Sequence, residues 1–262
     1  MPRRAVLRRV LGVAAGIGTH ALFAVTVWYL FWFLKQGAGA ATDGKYIVVD
    51  AGLAMLFALP HSLLLWPPVR RRLGRWVDGS FYGLLFTVVT CVTLLLLFAE
   101  WRESTRVLWE VGGTTATLVT ACFYGSWVAL LYSLHLTGLG YQTGLTPWLR
   151  WLRRQPQQRR GFQPRGAYRL FRHPVYLSFL GLIWFTPRMT ADHAVLTAIW
   201  TVYIFLGSWL KDQRLAFYLG DAYRAYQARV PGYPMVYAGP LGCPADEVTD
   251  TDTPRPPSRR AA

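Results

Sequence analysis

Arginine, histidine and tyrosine side chains are concentrated in one short stretch of the chain, directly before an apolar run. The stretch covers residues 166–176 and reads Gly-Ala-Tyr-Arg-Leu-Phe-Arg-His-Pro-Val-Tyr. Proline is favoured at the first position of a helix, because its missing N–H would have no partner there in any case. Pro174 therefore predicts a helix that begins directly after His173. The imidazole would then lie at or near the helix cap, beside the positive end of the helix dipole, where an anion can bind.

A second set of polar and aromatic residues follows the last apolar run. Lys211 and Asp212 come first, and Tyr223 and Tyr226 follow. The two tyrosines are three positions apart, so they share one face of a helix. If the last two apolar runs form a helical hairpin, this segment emerges on the same side of a membrane as the basic stretch. We therefore expect the two sets of residues to line one pocket.

The side chains of this expected pocket suit a ligand with several kinds of functional group. Arg172 can bind a carboxylate, Asp212 can bind an ammonium, and tyrosine rings can face a cation or a flat ring. S-adenosylmethionine carries a carboxylate, an ammonium, a sulfonium and an adenine, so it matches this set. The alternative is an ordinary basic flank of a membrane span with its belt of aromatic residues.

Blocks of apolar residues make up most of the chain and must position these side chains. Hydrophobic residues are 53% of the composition and charged residues only 16%, below the roughly 25% that is typical of soluble domains. A helix needs about 20 mostly apolar residues to cross a membrane. The spans expected on this basis are residues 11–34, 46–66, 79–99, 112–137, 174–186 and 193–210.

These blocks predict an all-α fold, a polytopic membrane protein of about six transmembrane helices. Helices are the form expected because a bilayer core offers no water to pair with backbone groups. Pro187 and Asp192 indicate a tight turn between the last two runs, which would make them a helical hairpin. No internal repeat or separate soluble domain is visible.

The distribution of Lys and Arg predicts the orientation in the membrane. Most of the 28 basic residues lie before the first span, between the second and third, between the fourth and fifth, and after the sixth. Cytoplasmic segments are enriched in these residues. Both termini are therefore expected in the cytoplasm, with the bacterial inner membrane as the location. Topology and anionic membrane lipids explain the net charge of +15, which does not indicate a nucleic-acid partner.

Ionisable side chains inside apolar spans are costly and are therefore candidates for function. His61 lies between Pro60 and Ser62 near the cytoplasmic end of its span. It is either a catalytic candidate or an imidazole that bonds a neighbouring helix. Asp50 lies near the outer end of the same span and is expected to face water.

The chain is expected to form one transmembrane domain over residues 1–239. Residues 160–235 would supply most of the pocket. The segment 240–262 is rich in Pro, Thr, Asp and Arg with few large apolar groups. It is therefore expected to be a disordered cytoplasmic tail.

At these motifs the chain resembles the integral-membrane methyltransferases related to isoprenylcysteine carboxyl methyltransferase and the phospholipid methyltransferases. Their signature is Gly-x-Tyr, Arg-His-Pro-x-Tyr and, after a hairpin, a Glu-Glu pair followed by Gly-x-x-Tyr-x-x-Tyr. The matching residues are Gly166, Tyr168, Arg172, His173, Pro174, Tyr176, Gly220, Tyr223 and Tyr226. Lys211 and Asp212 stand in place of the two glutamates. The His61-Ser62 pair and the turn at 186–190 are most similar to the methanethiol S-methyltransferase and NnrU-type branch.

The resemblance implies transfer of a methyl group from S-adenosylmethionine to a small thiol such as methanethiol, or to a lipid-borne acceptor. The residues expected to bind the donor are Tyr168, Arg172, His173, Pro174, Tyr176, Asp212, Tyr223 and Tyr226. Arg172, His173 and His61 are the candidates for catalysis, and no metal site is expected. Two alternatives stay open: a non-catalytic or accessory NnrU-type protein of the same fold, which Lys211 would permit, and a small transporter or channel. The sequence does not indicate an oligomeric state.

Overall fold

Long apolar helices dominate the computed structural model, which describes residues 3–37, 41–42, 46–157 and 162–243. The helices are α1 (Arg3–Gln36), α2 (Ile47–Leu65), α3 (Pro67–Leu73), α4 (Gly79–Glu100), α5 (Gly113–Thr137), α6 (Leu139–Gln142), α7 (Leu145–Leu152), α8 (Pro174–Trp184), α9 (Ala191–Leu219) and α10 (Asp221–Arg229). A short 3-10 helix, Gly166–Arg169, precedes α8. All six predicted apolar runs are helical, and the all-α polytopic class is confirmed.

Five of the described helices are long and apolar enough to cross a membrane, namely α1, α2, α4, α5 and α9. The predicted span at 174–186 corresponds to α8, which has only 11 residues. At about 1.5 Å per residue this helix is roughly half as long as the hydrocarbon core is thick. The expected set of about six helices therefore consists of five long helices and the short α8, which was expected to be a short span.

The short helix α8 is held by close packing on both sides. A Cβ atom on Gly181 would lie 2.2 Å from the hydroxyl oxygen of Ser126 in α5, so only glycine allows this approach. On the other side, the Thr197 hydroxyl of α9 donates to the Ile183 carbonyl of α8 at 3.1 Å. The core between these helices is built from buried apolar side chains, including Leu30, Leu97, Leu130, Leu182, Ile183, Leu196 and Ile204.

Two small sheets join loops at the end of the bundle where α4 ends and α5 begins. The pairs are β1 (Ala41–Thr42) with β2 (Glu103–Ser104), in parallel, and β3 (Val107–Glu110) with β4 (Arg188–Thr190), antiparallel. Asp50 lies completely buried beside these loops and accepts a hydrogen bond from the Arg102 backbone N–H at 3.2 Å. The expectation that Asp50 faces water was wrong, because the loop after α4 pairs with it.

The ends of the helices that adjoin the basic segments meet at the opposite end of the bundle. The Trp148 indole of α7 donates to the Gly12 carbonyl of α1 at 2.8 Å. Arg214 of α9 donates to the Leu65 carbonyl at the end of α2 at 3.3 Å. Segments that are far apart in the sequence are thereby fixed against one another at this end.

Gly83 of α4 and Gly144, before α7, approach each other too closely for a side chain. A Cβ atom on Gly83 would lie 2.4 Å from the Gly144 Cα, and Gly144 has a φ of +78°. We expect Gly83→Ala to force the two segments apart and to lower the free energy of unfolding by about 1–3 kcal/mol. The measurement is thermal unfolding in detergent micelles. Gly125→Ala in α5 is the matched control, since a Cβ there meets nothing within 4 Å. Equal melting temperatures for the two variants would contradict this packing.

Candidate active site

A buried ion pair joins the two motifs that the sequence analysis singled out. Arg172 Nε and Nη2 each lie 3.0 Å from Asp212 Oδ2. The two side chains are 0% and 1% exposed. Arg172 precedes α8 and Asp212 lies on α9, so the pair links the start of the hairpin to its end. Buried charges are tolerated when they are paired and hydrogen-bonded, and here the pair is joined by a hydrogen bond from Nε.

The Nη1 group of Arg172 holds the end of α10 and the chain that follows it, while Nη2 faces Asp212 without a hydrogen bond. The Nη1 atom donates to the carbonyls of Gln227, Val230 and Gly242 at 3.1, 2.6 and 3.0 Å. The backbone N–H groups of Arg172 and His173 donate to the carbonyls of Pro231 and Gly232. The first residues of the predicted tail, 240–243, therefore cover the cluster. Residues 244–262 lie outside the described residues.

His173 caps α8 as the sequence predicted, and Pro174 is the first helical residue. The His173 Nε2 atom lies 3.2 Å from Asp212 Oδ2. Burial lowers the pKa of His173, so the ring is neutral at neutral pH and Nε2 carries the proton that it donates to Asp212. The Nδ1 atom is then an acceptor, and it is buried without a hydrogen-bond partner.

Tyr223 and Tyr226 lie on the buried face of α10, as their spacing predicted. The Tyr223 hydroxyl donates to Asp212 Oδ1, and the Tyr226 hydroxyl donates to the Tyr168 carbonyl at 2.5 Å. Burial raises the pKa of both phenols, and the Asp212 carboxylate raises that of Tyr223 further. Both hydroxyls therefore remain protonated donors. The Phe162 ring packs edge-on against both tyrosine rings, at 5.3 and 5.2 Å between centroids.

Lys211 extends towards two aromatic rings of the same cluster. Its Nζ atom lies 5.2 Å from the centroid of Tyr176 on α8 and 5.7 Å from that of Tyr168 in the 3-10 helix. The Tyr176 ring is in turn 5.6 Å from the His173 ring. The structure thus brings together the sequence-predicted residues Tyr168, Arg172, His173, Pro174, Tyr176, Asp212, Tyr223 and Tyr226.

His61 is the one predicted site residue whose contacts are with residues other than those of this cluster. Its Nδ1 atom is 3.3 Å from the Thr90 hydroxyl, so it bridges α2 and α4. Its ring packs against Phe57 and Phe86 at 5.4 and 4.8 Å between centroids. The contacts of His61 are those of an imidazole that bonds a neighbouring helix, which was the alternative considered for it.

Residues around position 232 also belong to the cluster and were missed. The Tyr233 hydroxyl pairs with that of Ser208, and the Tyr233 ring lies 5.5 Å from the His173 ring. A Cβ atom on Gly232 would lie 2.7 Å from the Leu241 carbonyl oxygen. The available signal was the Pro-Gly-Tyr-Pro turn at 231–234, which indicates a change of chain direction without revealing what it packs against.

Both oxygens of the Asp212 carboxylate already accept hydrogen bonds within the cluster. Arg172 and His173 both donate to Oδ2, and Tyr223 donates to Oδ1. Asp212 therefore acts first as the counterion of Arg172 and as the acceptor that sets the tautomer of His173. The groups of the cluster that remain for a ligand are the buried, unpaired His173 Nδ1 atom and the rings of Tyr168 and Tyr176.

Asp212→Asn would leave the Arg172 guanidinium buried without a counterion. We expect this change to lower the free energy of unfolding by about 3–5 kcal/mol, the usual cost of breaking a buried pair from one side. Asp221→Asn is the matched control, because Asp221 is 99% exposed in its pair with Arg224 and surface pairs contribute little. Thermal unfolding of the two purified variants is the measurement. A melting temperature for Asp212→Asn equal to that of the control would contradict the structural role of the pair.

The chain is similar to named proteins over most of its length. It is 31% identical to methanethiol S-methyltransferase 1 of Bradyrhizobium diazoefficiens, over 82% of this chain and 79% of that protein. It is 30% identical to methanethiol S-methyltransferase of Mycobacterium tuberculosis, over 86% of this chain and 96% of that protein. It is 29% identical to Nurim of Danio rerio, over 68% and 69% of the two chains. No family model and no solved structure matches the chain.

The names of these relatives agree with the family that the motifs around Arg172 and Asp212 resemble. The two S-methyltransferases match well over two thirds of both chains at 30% identity or more. The chain therefore belongs to the family of membrane methyltransferases that includes the methanethiol S-methyltransferases.

Proposed function

We propose that this protein transfers a methyl group from S-adenosylmethionine to a small thiol such as methanethiol. The observation that carries the proposal is the buried cluster of Arg172, His173 and Asp212 with its ring of tyrosines. The names of the relatives support the thiol acceptor. Residues 160–235 would supply most of the donor site within a single transmembrane domain.

Three features of the cluster fit the donor. The buried His173 Nδ1 atom lacks a partner and can accept a hydrogen bond from the donor's ammonium. The start of α8 at Pro174 offers the positive end of a helix dipole to the donor's carboxylate. The rings of Tyr168 and Tyr176 can face the sulfonium or the adenine. S-adenosylmethionine supplies an activated methyl group, and these residues would orient it.

The reaction requires positioning more than acid–base chemistry on the donor. A thiolate displaces the methyl group in line from the sulfonium, so the protein must align the two sulfur atoms and exclude water. The apolar surfaces of α8 and α9 adjoin the cluster and would admit a small apolar thiol from the bilayer. The thiol reacts as its thiolate, so a nearby proton acceptor assists the step.

We further propose that the cluster faces the cytoplasm of a bacterial cell, with the chain in the inner membrane and both termini inside. The support is the concentration of arginine in the segments that adjoin this end of the bundle, such as 70–75 and 150–154. Cytoplasmic segments carry this excess of basic residues.

Purified protein in detergent should bind S-adenosylmethionine, and Arg172→Ala should abolish binding, because the loops that Arg172 holds would no longer enclose the donor. Isothermal titration calorimetry is the measurement. Arg169→Ala is the matched control, since Arg169 is an exposed arginine of the neighbouring 3-10 helix.

A second variant covers the case in which Arg172→Ala fails to fold. Glutamine at position 173 can still donate to Asp212 but lacks the Nδ1 acceptor, so His173→Gln should weaken donor binding about tenfold, the value of one hydrogen bond to a charged group. Normal donor binding by both folded variants would show that the donor site lies elsewhere. A wild-type protein that binds no donor would favour the accessory role.

Bacterial cells that produce the wild-type protein should release dimethyl sulfide when supplied with methanethiol. Gas chromatography of the headspace is the measurement, and cells that produce His173→Gln should release less. A headspace without dimethyl sulfide, together with intact donor binding by the purified protein, would contradict methanethiol as the acceptor.

A further inference from the structure

We propose that Lys211 is the base that removes the proton from the acceptor thiol. This inference rests on the proposed methyl transfer and concerns how the acceptor thiol loses its proton. The Nζ atom of Lys211 lies 5.7 Å from the ring centroid of Tyr168 and 5.2 Å from that of Tyr176, two residues of the proposed donor site. The amine is therefore beside the place where the methyl group would be presented.

Lys211 has no counterion in the part of the chain that the structure describes. No carboxylate oxygen of those residues lies within 4.0 Å of its Nζ atom. The adjacent Asp212 carboxylate is already shared by Arg172, His173 and Tyr223. Lysine side chains withdrawn from water without a fixed partner are the ones that serve as bases in enzymes.

The groups that face Lys211 come from each element packed around it. They are the phenols of Tyr168 and Tyr176, the neutral His173 ring, the paired Asp212 carboxylate and the guanidinium of Arg214 on the next turn of α9. The positive charge of Arg214 disfavours a second positive charge on the Lys211 amine. The two phenol rings favour a cation only weakly, by about 0.5–2 kcal/mol, so they do not hold the proton on Lys211.

The histidines are less suited to this task. The His173 Nε2 atom is committed to Asp212, and its Nδ1 atom is proposed to receive the donor's ammonium. His61 is bonded to Thr90 between α2 and α4. Lys211 is thus the nitrogen base that lies beside the proposed donor site and is not committed to another group there.

The proposed step conserves atoms and charge. The neutral Lys211 amine takes the thiol proton and becomes an ammonium paired with the thiolate. The thiolate electron pair forms the new S–C bond to the donor methyl group. The bond between that methyl group and the sulfonium breaks, and its electrons leave the donor sulfur as a neutral thioether. The proton then passes from Lys211 to water, which restores the amine.

The test is the pH profile of methyl transfer by purified wild-type, Lys211→Gln and Lys211→Arg proteins. Arginine keeps a positive charge but cannot accept a proton, so it separates charge from base catalysis. With an alkanethiol at neutral pH, both variants should lose about 10²-fold in kcat/KM, the usual contribution of a general base. The loss should shrink by about tenfold per pH unit as the solution ionises the thiol. With an aromatic thiol that is already ionised, both variants should remain within about threefold of wild type.

Lys35→Gln is the matched control. Lys35 also lies over aromatic rings, 5.0 Å from that of Trp32, but at the end of α1, so its variant should match wild type with both thiols. Donor binding, measured in parallel, should be unchanged in the uncharged Lys211→Gln variant. A loss that is equal at every pH and for both thiols, or no loss at all, would overturn the role of Lys211. A wild-type protein that methylates neither thiol would instead overturn the proposed function on which it rests.

Discussion

One buried carboxylate holds the functional end of this protein together. Asp212 accepts from Arg172, His173 and Tyr223, three residues that come from the segment before α8 and from α10. An ionised carboxylate in an apolar setting is stable only if such partners are all in place. Hydrogen bonds in such a network strengthen one another. The positions of the loop before α8, of α10 and of the chain after it therefore depend on this single interaction.

Helix α9 carries a second buried carboxylate at its other end, which performs a similar task. Asp192, in the first turn of α9, accepts from the Trp101 indole at 2.8 Å and from the Ser104 backbone N–H at 2.9 Å. These bonds fix the loop after α4, as Asp212 fixes the segments around the proposed donor site. A long apolar helix with one carboxylate anchor near each end thus sets the positions of the loops on both faces of the bundle. The bilayer itself requires only that the spans between them be apolar.

The sequence was most informative for features that depend only on residues close together in the chain. Span length and hydropathy located the apolar helices, and the His173-Pro174 pair located the start of α8 to the residue. The three-residue spacing of Tyr223 and Tyr226 predicted their shared buried face. The hairpin expectation also brought Arg172 and Asp212 to the same end of the bundle, although as partners of each other and not as separate contacts of a ligand.

Contacts between segments that are distant in the sequence could not be predicted from the sequence. The contacts of Arg172 with the Gly242 carbonyl and of Asp50 with the Arg102 N–H join segments whose loops have no periodic pattern. Tyr233 and Ser208 are likewise brought together only by the turn after α10. The shortness of α8 was visible in the sequence, but its packing against Ser126, which lets a short helix remain buried, was not.

A methyl donor is proposed to bind beside the Asp212 cluster, against His173, Tyr168 and Tyr176. An experimental structure of the protein with S-adenosylhomocysteine, the donor without its methyl group, tests it most directly. We expect the ligand's amino group within hydrogen-bond distance of His173 Nδ1, its sulfur beside the rings of Tyr168 and Tyr176 and next to Lys211, and the Arg172–Asp212 pair intact. A ligand bound elsewhere in the bundle, or an Arg172 that has left Asp212 to hold the ligand's carboxylate, would contradict the account.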